Sequence, residues 1–184
     1  DVRTAELSKL AENTFRDVNI AFANELSMIC DQLGIDVWQT IQLANRHPRV
    51  DILKPGPGVG GHCIAVDPWF IVDSAPQHSK LIQTARIRND SKPKFILDKI
   101  KKVLSDIDQS REKVKIATLG LTYKPDIDDL RESPALEIAL QIEKIGLAHQ
   151  YIVEPNVDQL PTLFNEKISS LVDLELALGL ADVI

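Results

Sequence analysis

Residues 54–69 constrain this chain more than any other stretch: Lys54-Pro55-Gly56-Pro57-Gly58-Val59-Gly60-Gly61-His62-Cys63-Ile64-Ala65-Val66-Asp67-Pro68-Trp69. Four of the eight glycines fall within positions 56–61. Glycine opens φ > 0 and lets the backbone approach a ligand closely. The prolines remove donors and stiffen both ends. Neither a helix nor a ladder continues through such a stretch, so it divides whatever lies on either side. It delivers Cys63, with the carboxylate of Asp67 four residues later. A flexible, donor-rich backbone carrying a thiol can grip an anion and attack a carbon. The plainer alternative is a turn followed by a small buried hydrophobe, since thiol reactivity depends on its surroundings. Gly56, Gly58 and Gly61 also match G-x-G-x-x-G. That fingerprint needs a strand before it and a helix opening at it. Here Lys54-Pro55 precedes and Ile64–Trp69 follows, so the stretch is not read as a dinucleotide site.

The flanks of this stretch read as helical. Over residues 5–33, Phe15, Val18, Phe22, Leu26, Ile29 and Leu33 fall at helical spacing and form one apolar stripe, with Gly34 as the stop. That stripe is more than one small domain should cover, so a homodimer through this helix is expected. At about 100° per residue, Lys9, Asn13 and Arg16 cluster on a face far from the stripe. They form either a solvated surface or an ammonium, an amide and a guanidinium converging on one anionic, hydroxyl-bearing ligand. Cys30 beside the stripe reads as core filler. Asp36 is placed as the cap of a second helix, about residues 37–46, with Val37, Ile41 and Ala44 inward. His47-Pro48-Arg49 ends it. Arg49 is a surface charge or a clamp at the mouth of the loop. Asp67-Pro68 starts a short helix with Trp69, Phe70 and Val72 as core. Residues 78–106 read as two helices or one kinked helix, broken at Pro93 with Ser91 as a possible cap. Ile96, Ile100, Val103 and Leu104 form its apolar face, and Lys94, Lys99, Lys101 and Lys102 its wet side.

Polar residues 106–112 mark the best domain boundary, and the pattern then changes. Val114–Gly120 and His149–Val153 read as strands, with helices at 133–146 and about 170–179, and Asp182–Ile184 opens a third strand. Alternating strand and helix imply right-handed crossovers and a parallel sheet. Ligands of such sheets sit at the carboxyl ends of the strands. There the loop 121–131 carries Lys124 and Arg131 beside a helix start, a credible anion clamp. The expected fold is therefore mixed. An all-α dimerisation domain with the cysteine loop spans 1–107. A Rossmann-like α/β domain, incomplete at its C-terminus, spans 113–184.

Composition excludes several classes. The net charge of −6 argues against a nucleic-acid or anionic-membrane binder. No apolar run approaches the roughly 20 residues that span a bilayer. Two cysteines make no disulfide framework and point to a reducing, cytoplasmic compartment. No metal is expected at the site. The chain starts without Met or a leader and stops as a strand begins, which reads as a fragment with both flanks missing.

Three separated stretches together carry a resemblance. They are Ala5–Thr14, the Gly56–Pro68 loop, and Gly120-Leu121-Thr122-Tyr123-Lys124-Pro125-Asp126 running to Arg131-Glu132-Ser133-Pro134. In these, in their order and over nearly its whole length, the chain resembles the UDP-glucose/GDP-mannose dehydrogenase family. The glucose branch of that family has Ser where His62 stands and Lys where Val66 stands, which points away from glucose. The resemblance implies a three-part enzyme, of which this chain is the central domain and most of the nucleotide-sugar-binding domain. NAD would be bound mainly by a Rossmann domain upstream. It further implies a two-step oxidation of a sugar C6 alcohol to an acid, with Cys63 as nucleophile. Lys9 and Asn13 would hold the developing oxyanions, Lys9 also moving protons, and Asp67 would position the hydrolytic water or act as base. Arg16, His47, Arg49, Gly58 and Gly60 would contact substrate, some across a dimer interface. Tyr123 and Lys124 would hold the phosphates of a UDP-sugar, and Arg131 would touch NAD. Two other readings remain: a non-catalytic dimeric UDP-sugar-binding module, and the helical domain of a β-hydroxyacid dehydrogenase, which has no need of the cysteine.

Overall fold

The computed structural model describes residues 1–107, 114–146 and 148–184, which form two compact units, Asp1–Lys92 and Pro93–Ile184. Of the polar stretch marked as a boundary, residues 108–112 lie outside the described residues. Among the described residues, no helix is long and apolar enough to cross a membrane.

The first unit is helical. α1 (Val2–Leu33) starts where Asp1 accepts from Thr4 N and ends at Gly34 in the left-handed region, φ 68°. α2 (Val37–Ala44) is capped by Asp36, which accepts from the N–H groups of Trp38 and Gln39. α3 (Asp67–Ser74) follows the glycine-rich stretch, with Pro68 in its first turn, where a missing N–H is harmless. α4 (Lys80–Asp106) runs unbroken through Pro93 and contributes to both units. Of the two alternatives, the structure has one helix rather than two, with no interruption at Pro93. Pro93 is buried inside the helix, and Ser91 Oγ donates to Arg88 O rather than capping. The proline forfeits one i→i−4 bond, which packing on both sides outweighs.

The inward side of α1 is mostly polar. Asn13, Thr14, Asp17 and Asn24 are buried there with Ala21, Ala23 and Cys30. The apolar stripe faces out, with Phe15 69%, Phe22 55% and Leu33 63% exposed. Two smaller expectations also change. Of the residues placed in the core of the short helix, Val72 is buried, but Trp69 and Phe70 are exposed. On α4, Leu97 and Leu104 are buried while Val103 is 44% exposed.

The second unit is a three-stranded parallel sheet in the order β1 (Val114–Leu119), β2 (Ala148–Val153), β3 (Ser169–Leu171). Helices α5 (Pro134–Ile145) and α6 (Leu174–Leu180) complete it. Strand alternation sorts the core onto two faces. Ile116 packs against Leu97 of α4 and Ile138 and Ile142 of α5, and Ile152 packs with Ala139. On the other face Ala117 and Val153 meet Ala177 of α6. The helix expected at 170–179 starts later, at Leu174, behind the Asp173 cap. The residues before it pair instead with the open edge of β2, Gln150 with Ser169 and Ile152 with Leu171. The third strand expected at 182–184 is one parallel bridge, Ile116 to Val183, on the far side of β1.

Candidate active site

The approach to the glycine-rich stretch is held through its backbone by asparagine side chains. Asn19 donates to Asp51 O (3.1 Å) and accepts from Leu53 N (3.1 Å). Asn45 brackets Ile52 in the same way, donating to its carbonyl (3.0 Å) and accepting from its N–H (2.8 Å). Asn24 accepts from Gly56 N at 2.8 Å. These amides act as a substitute ladder for a segment that has no neighbouring strand. Beyond it the chain turns on Gly58 (φ 148°) and Gly61 (φ 82°), conformations that side chains with a Cβ resist.

Cys63 follows, exposed and free of any disulfide. Its carbonyl accepts from Val66 N (3.1 Å) and Asp67 N (2.8 Å), closing a turn into α3. Asp67 sits in the first turn of that helix, where a carboxylate complements the positive end of the dipole. Its Oδ2 accepts from Asn13 Nδ2 at 2.6 Å. Asn13, Cys63 and Asp67 are thus tied together: the amide to the carboxylate, and the carboxylate's own N–H to the cysteine carbonyl.

The other expected residues of this unit lie on its surface. Lys9, one turn before Asn13, is exposed and pairs with Glu12 at 3.3 Å. Arg16 is exposed on the next turn. His47 and Arg49 are exposed together in one turn, with Arg49 N donating to His47 Nδ1 at 3.2 Å. Gly58 and Gly60 are half-buried.

A different device shapes the loop of the second unit. Gly120 (φ 93°) ends β1, and Leu121 N (2.8 Å) and Thr122 N (3.2 Å) donate to Glu154 Oε2 at the end of β2. Asn156 N donates to the other oxygen at 3.2 Å. Ser133 Oγ donates to Leu121 O at 2.6 Å and caps α5. Both ends of loop 121–133 are therefore pinned. Its exposed part carries Lys124, whose ammonium lies 5.7 Å from the Tyr123 ring centroid. It also carries Arg131, whose Nε (2.9 Å) and Nη2 (2.8 Å) grip Asp129 as a fork. That carboxylate raises the pKa of Arg131 above its ordinary value. Asp126 (φ 62°) and Glu132 (φ 51°) bend the loop in the left-handed region without being glycine.

The sequence reading missed Glu154 and Asp129. A carboxylate directly after β2 was the available signal for the first; a fork-shaped partner two residues before Arg131 was the signal for the second. Burial pushes the Glu154 carboxyl up, but the N–H groups of Leu121, Asn156 and Thr122 together outweigh it and leave it below its ordinary value. The stability it contributes is therefore present above about pH 4.3 and lost as pH falls through the lower folded value. Glu154→Gln is expected to flatten the acid limb of the stability curve. Urea midpoints measured from pH 3 to 7 would check it.

The family models that match are "UDP-glucose/GDP-mannose dehydrogenase family, central domain" over residues 3–91 and "UDP-glucose/GDP-mannose dehydrogenase family, UDP binding domain" over residues 117–184. The UDP-N-acetyl-D-mannosamine dehydrogenase of Yersinia pestis is 58% identical over 186 residues, covering 99% of this chain and 44% of that protein. The enzyme of the same name from Campylobacter jejuni is 58% identical over 185 residues, covering 100% and 44%. This chain thus spans 44% of the length of these curated relatives. Among solved structures, the UDP-N-acetyl-mannosamine dehydrogenase Cap5O of Staphylococcus aureus is similar, at 49% identity and TM-score 0.76, over 86% of this chain and 37% of that one. A UDP-glucose dehydrogenase from Pyrobaculum islandicum shares the fold, at TM-score 0.83 and 24% identity, over 98% of this chain and 42% of that one.

Proposed function

We propose, starting from the fact that this chain belongs to the UDP-glucose/GDP-mannose dehydrogenase family, that it works within a UDP-N-acetyl-D-mannosamine 6-dehydrogenase. The observation that supports this best is the bond from Asn13 on α1 to the carboxylate of Asp67, whose backbone N–H in turn donates to the carbonyl of the exposed Cys63. The reaction takes the C6 alcohol to the acid in two hydride transfers, for which two molecules of NAD, bound in turn, would each accept one hydride. After the first, the C6 aldehyde faces Cys63. The sulfur forms a bond to C6, the carbonyl π bond breaks, and oxygen takes the proton, giving a thiohemiacetal. Lys9 and Asn13 steady that oxygen as charge develops. Loss of the second hydride from C6 and of the hydroxyl proton to Lys9 leaves a thioester, and water cleaves the C–S bond, with Asp67 holding the water or taking its proton and the thiol regenerated. Arg16, His47, Arg49, Gly58 and Gly60 contact the sugar, and Tyr123 and Lys124 hold the UDP phosphates. Arg131 suits one phosphate of NAD, because its exposed fork already grips an oxyanion of similar geometry. The remaining NAD contacts are assigned to a dinucleotide-binding domain outside this chain. The product is an activated sugar acid, of the kind consumed in polysaccharide assembly.

Calorimetry tests this division of labour. The chain should bind UDP-N-acetyl-D-mannosamine and release little heat with NAD; tight NAD binding by the chain alone would contradict it. The out-facing stripe of α1 supports a homodimer, because Phe15, Phe22, Ile29 and Leu33 expose apolar area on one helix face. Light scattering at micromolar concentration should give a dimer mass, and Phe22→Asp should give a monomer mass. A monomer for the unaltered chain would remove this reading.

A further inference from the structure

The start of the cysteine segment is set by a side chain far away in sequence. Asn24 is fully buried on α1, and its Oδ1 accepts from Gly56 N at 2.8 Å. Its Nδ2 donates to Asn89 Oδ1 on α4 at 2.9 Å. Asn89 is also fully buried, and its Nδ2 donates to Asp17 at both Oδ1 (2.8 Å) and the backbone carbonyl (3.1 Å). Arg86 Nη1 donates to the same Oδ1 at 2.6 Å, while its Nη2 pairs with Asp90. This is a one-way relay. Asp17 and Arg86 admit only one orientation of the Asn89 amide, and Asn89 then admits only one orientation of Asn24. A flipped Asn24 would turn an NH2 group toward the Gly56 N–H and leave two buried donors facing each other.

Such a cluster is not needed for stability, because apolar side chains of similar volume serve a core as well or better. What it adds is direction: an acceptor aimed at one N–H of a segment that glycine leaves otherwise loose. We propose that Asn24 is a positioning residue for the segment that carries Cys63, with Asn89 and the Asp17–Arg86 pair as its rigid backing. Its catalytic relevance rests on the reading of Cys63 as nucleophile.

Hydrogen exchange in the full 184-residue chain tests this. Asn24→Ala should speed exchange at Gly56 and through residues 58–63 by about fivefold or more, the factor one hydrogen bond carries. The effect should be local to the segment, with exchange in the middle of α4 changed far less. A residue that merely fills the core would loosen α1 and α4 as much as the segment. If Asn24→Ala does not fold, Gly56→Pro removes the same donor, with Gly56→Ala as its control. Gly56 is outside the positive-φ region, and a Cβ there meets only Gly58 O at 4.0 Å. Gly56→Pro should speed exchange across 58–63 relative to Gly56→Ala. Unchanged exchange in Asn24→Ala, equal loosening of α4 and the segment, or equal exchange in the two Gly56 variants would overturn the proposal. Gly56 exchange does not depend on what Cys63 reacts with, so a failed turnover assay and a failed exchange assay sink different readings.

Discussion

Cys63→Ala is expected to lower acid formation by the complete dehydrogenase by at least about 10⁴-fold, the scale seen when a covalent nucleophile is removed. The loss falls on one half of the reaction. Oxidation of the alcohol to the aldehyde needs no bond to sulfur, so the first hydride still transfers. The second transfer needs a carbon bearing both hydrogen and an oxygen that can become a carbonyl, which on the proposed route the thiohemiacetal supplies. Without the thiol only slow hydration of the aldehyde substitutes. A single-turnover experiment should therefore show up to one NADH per site and no acid. Sustained formation of two NADH per sugar by the variant would rule out the covalent route. Cys30 does not replace the lost thiol, because it is 3% exposed on the inner side of α1.

The second large effect concerns stability. Asp17 and Arg86 pair at 2.6 Å with side chains 0% and 3% exposed. Arg86→Leu strands a carboxylate in the interior and is expected to cost about 3–5 kcal/mol. Asp17→Leu/Arg86→Leu, with no charge left, should recover a large part of that loss. In the unaltered chain burial pushes the Asp17 carboxyl above its ordinary value, and Arg86 and Asn89 only partly oppose it. The folded chain thus holds this proton more tightly than the unfolded chain. Its contribution to stability is complete below about pH 3.9 and is lost as pH rises through the folded value. Removing the guanidinium lifts that value further. The deficit of Arg86→Leu should therefore be smallest near pH 4 and grow toward neutrality. A deficit independent of pH would indicate that lost packing, rather than the stranded charge, causes the damage.

Much of the architecture was legible from spacing and punctuation. Gly34 closes α1 and Asp36 opens α2 where local chemistry says they should, because a cap acts within one turn. Pro93 misled because its cost of one hydrogen bond is small against burial along a 27-residue helix. Ser169–Leu171 misled for a related reason: three residues carry little pattern of their own, and the edge of β2 decides their state. At the site, Cys63 and Asp67 stood out by their spacing from the glycines. Asn13 was named, but its bond to Asp67 spans 54 residues of sequence and no local rule reaches that far. Asn19, Asn45 and Asn24 went unremarked for the same cause, since an amide reads as surface until the backbone it meets is known.

Those amides also redistribute tolerance to mutation. Asp51, Ile52, Leu53 and Gly56 are gripped by their main-chain atoms, so what their own side chains are matters little to where the strand of peptide runs. The information that shapes this part of the molecule is stored instead on two helices, in residues that touch neither thiol nor sugar. Drift in the gripped segment should be quiet, whereas a single methyl-for-amide exchange several turns away should be heard at the sulfur.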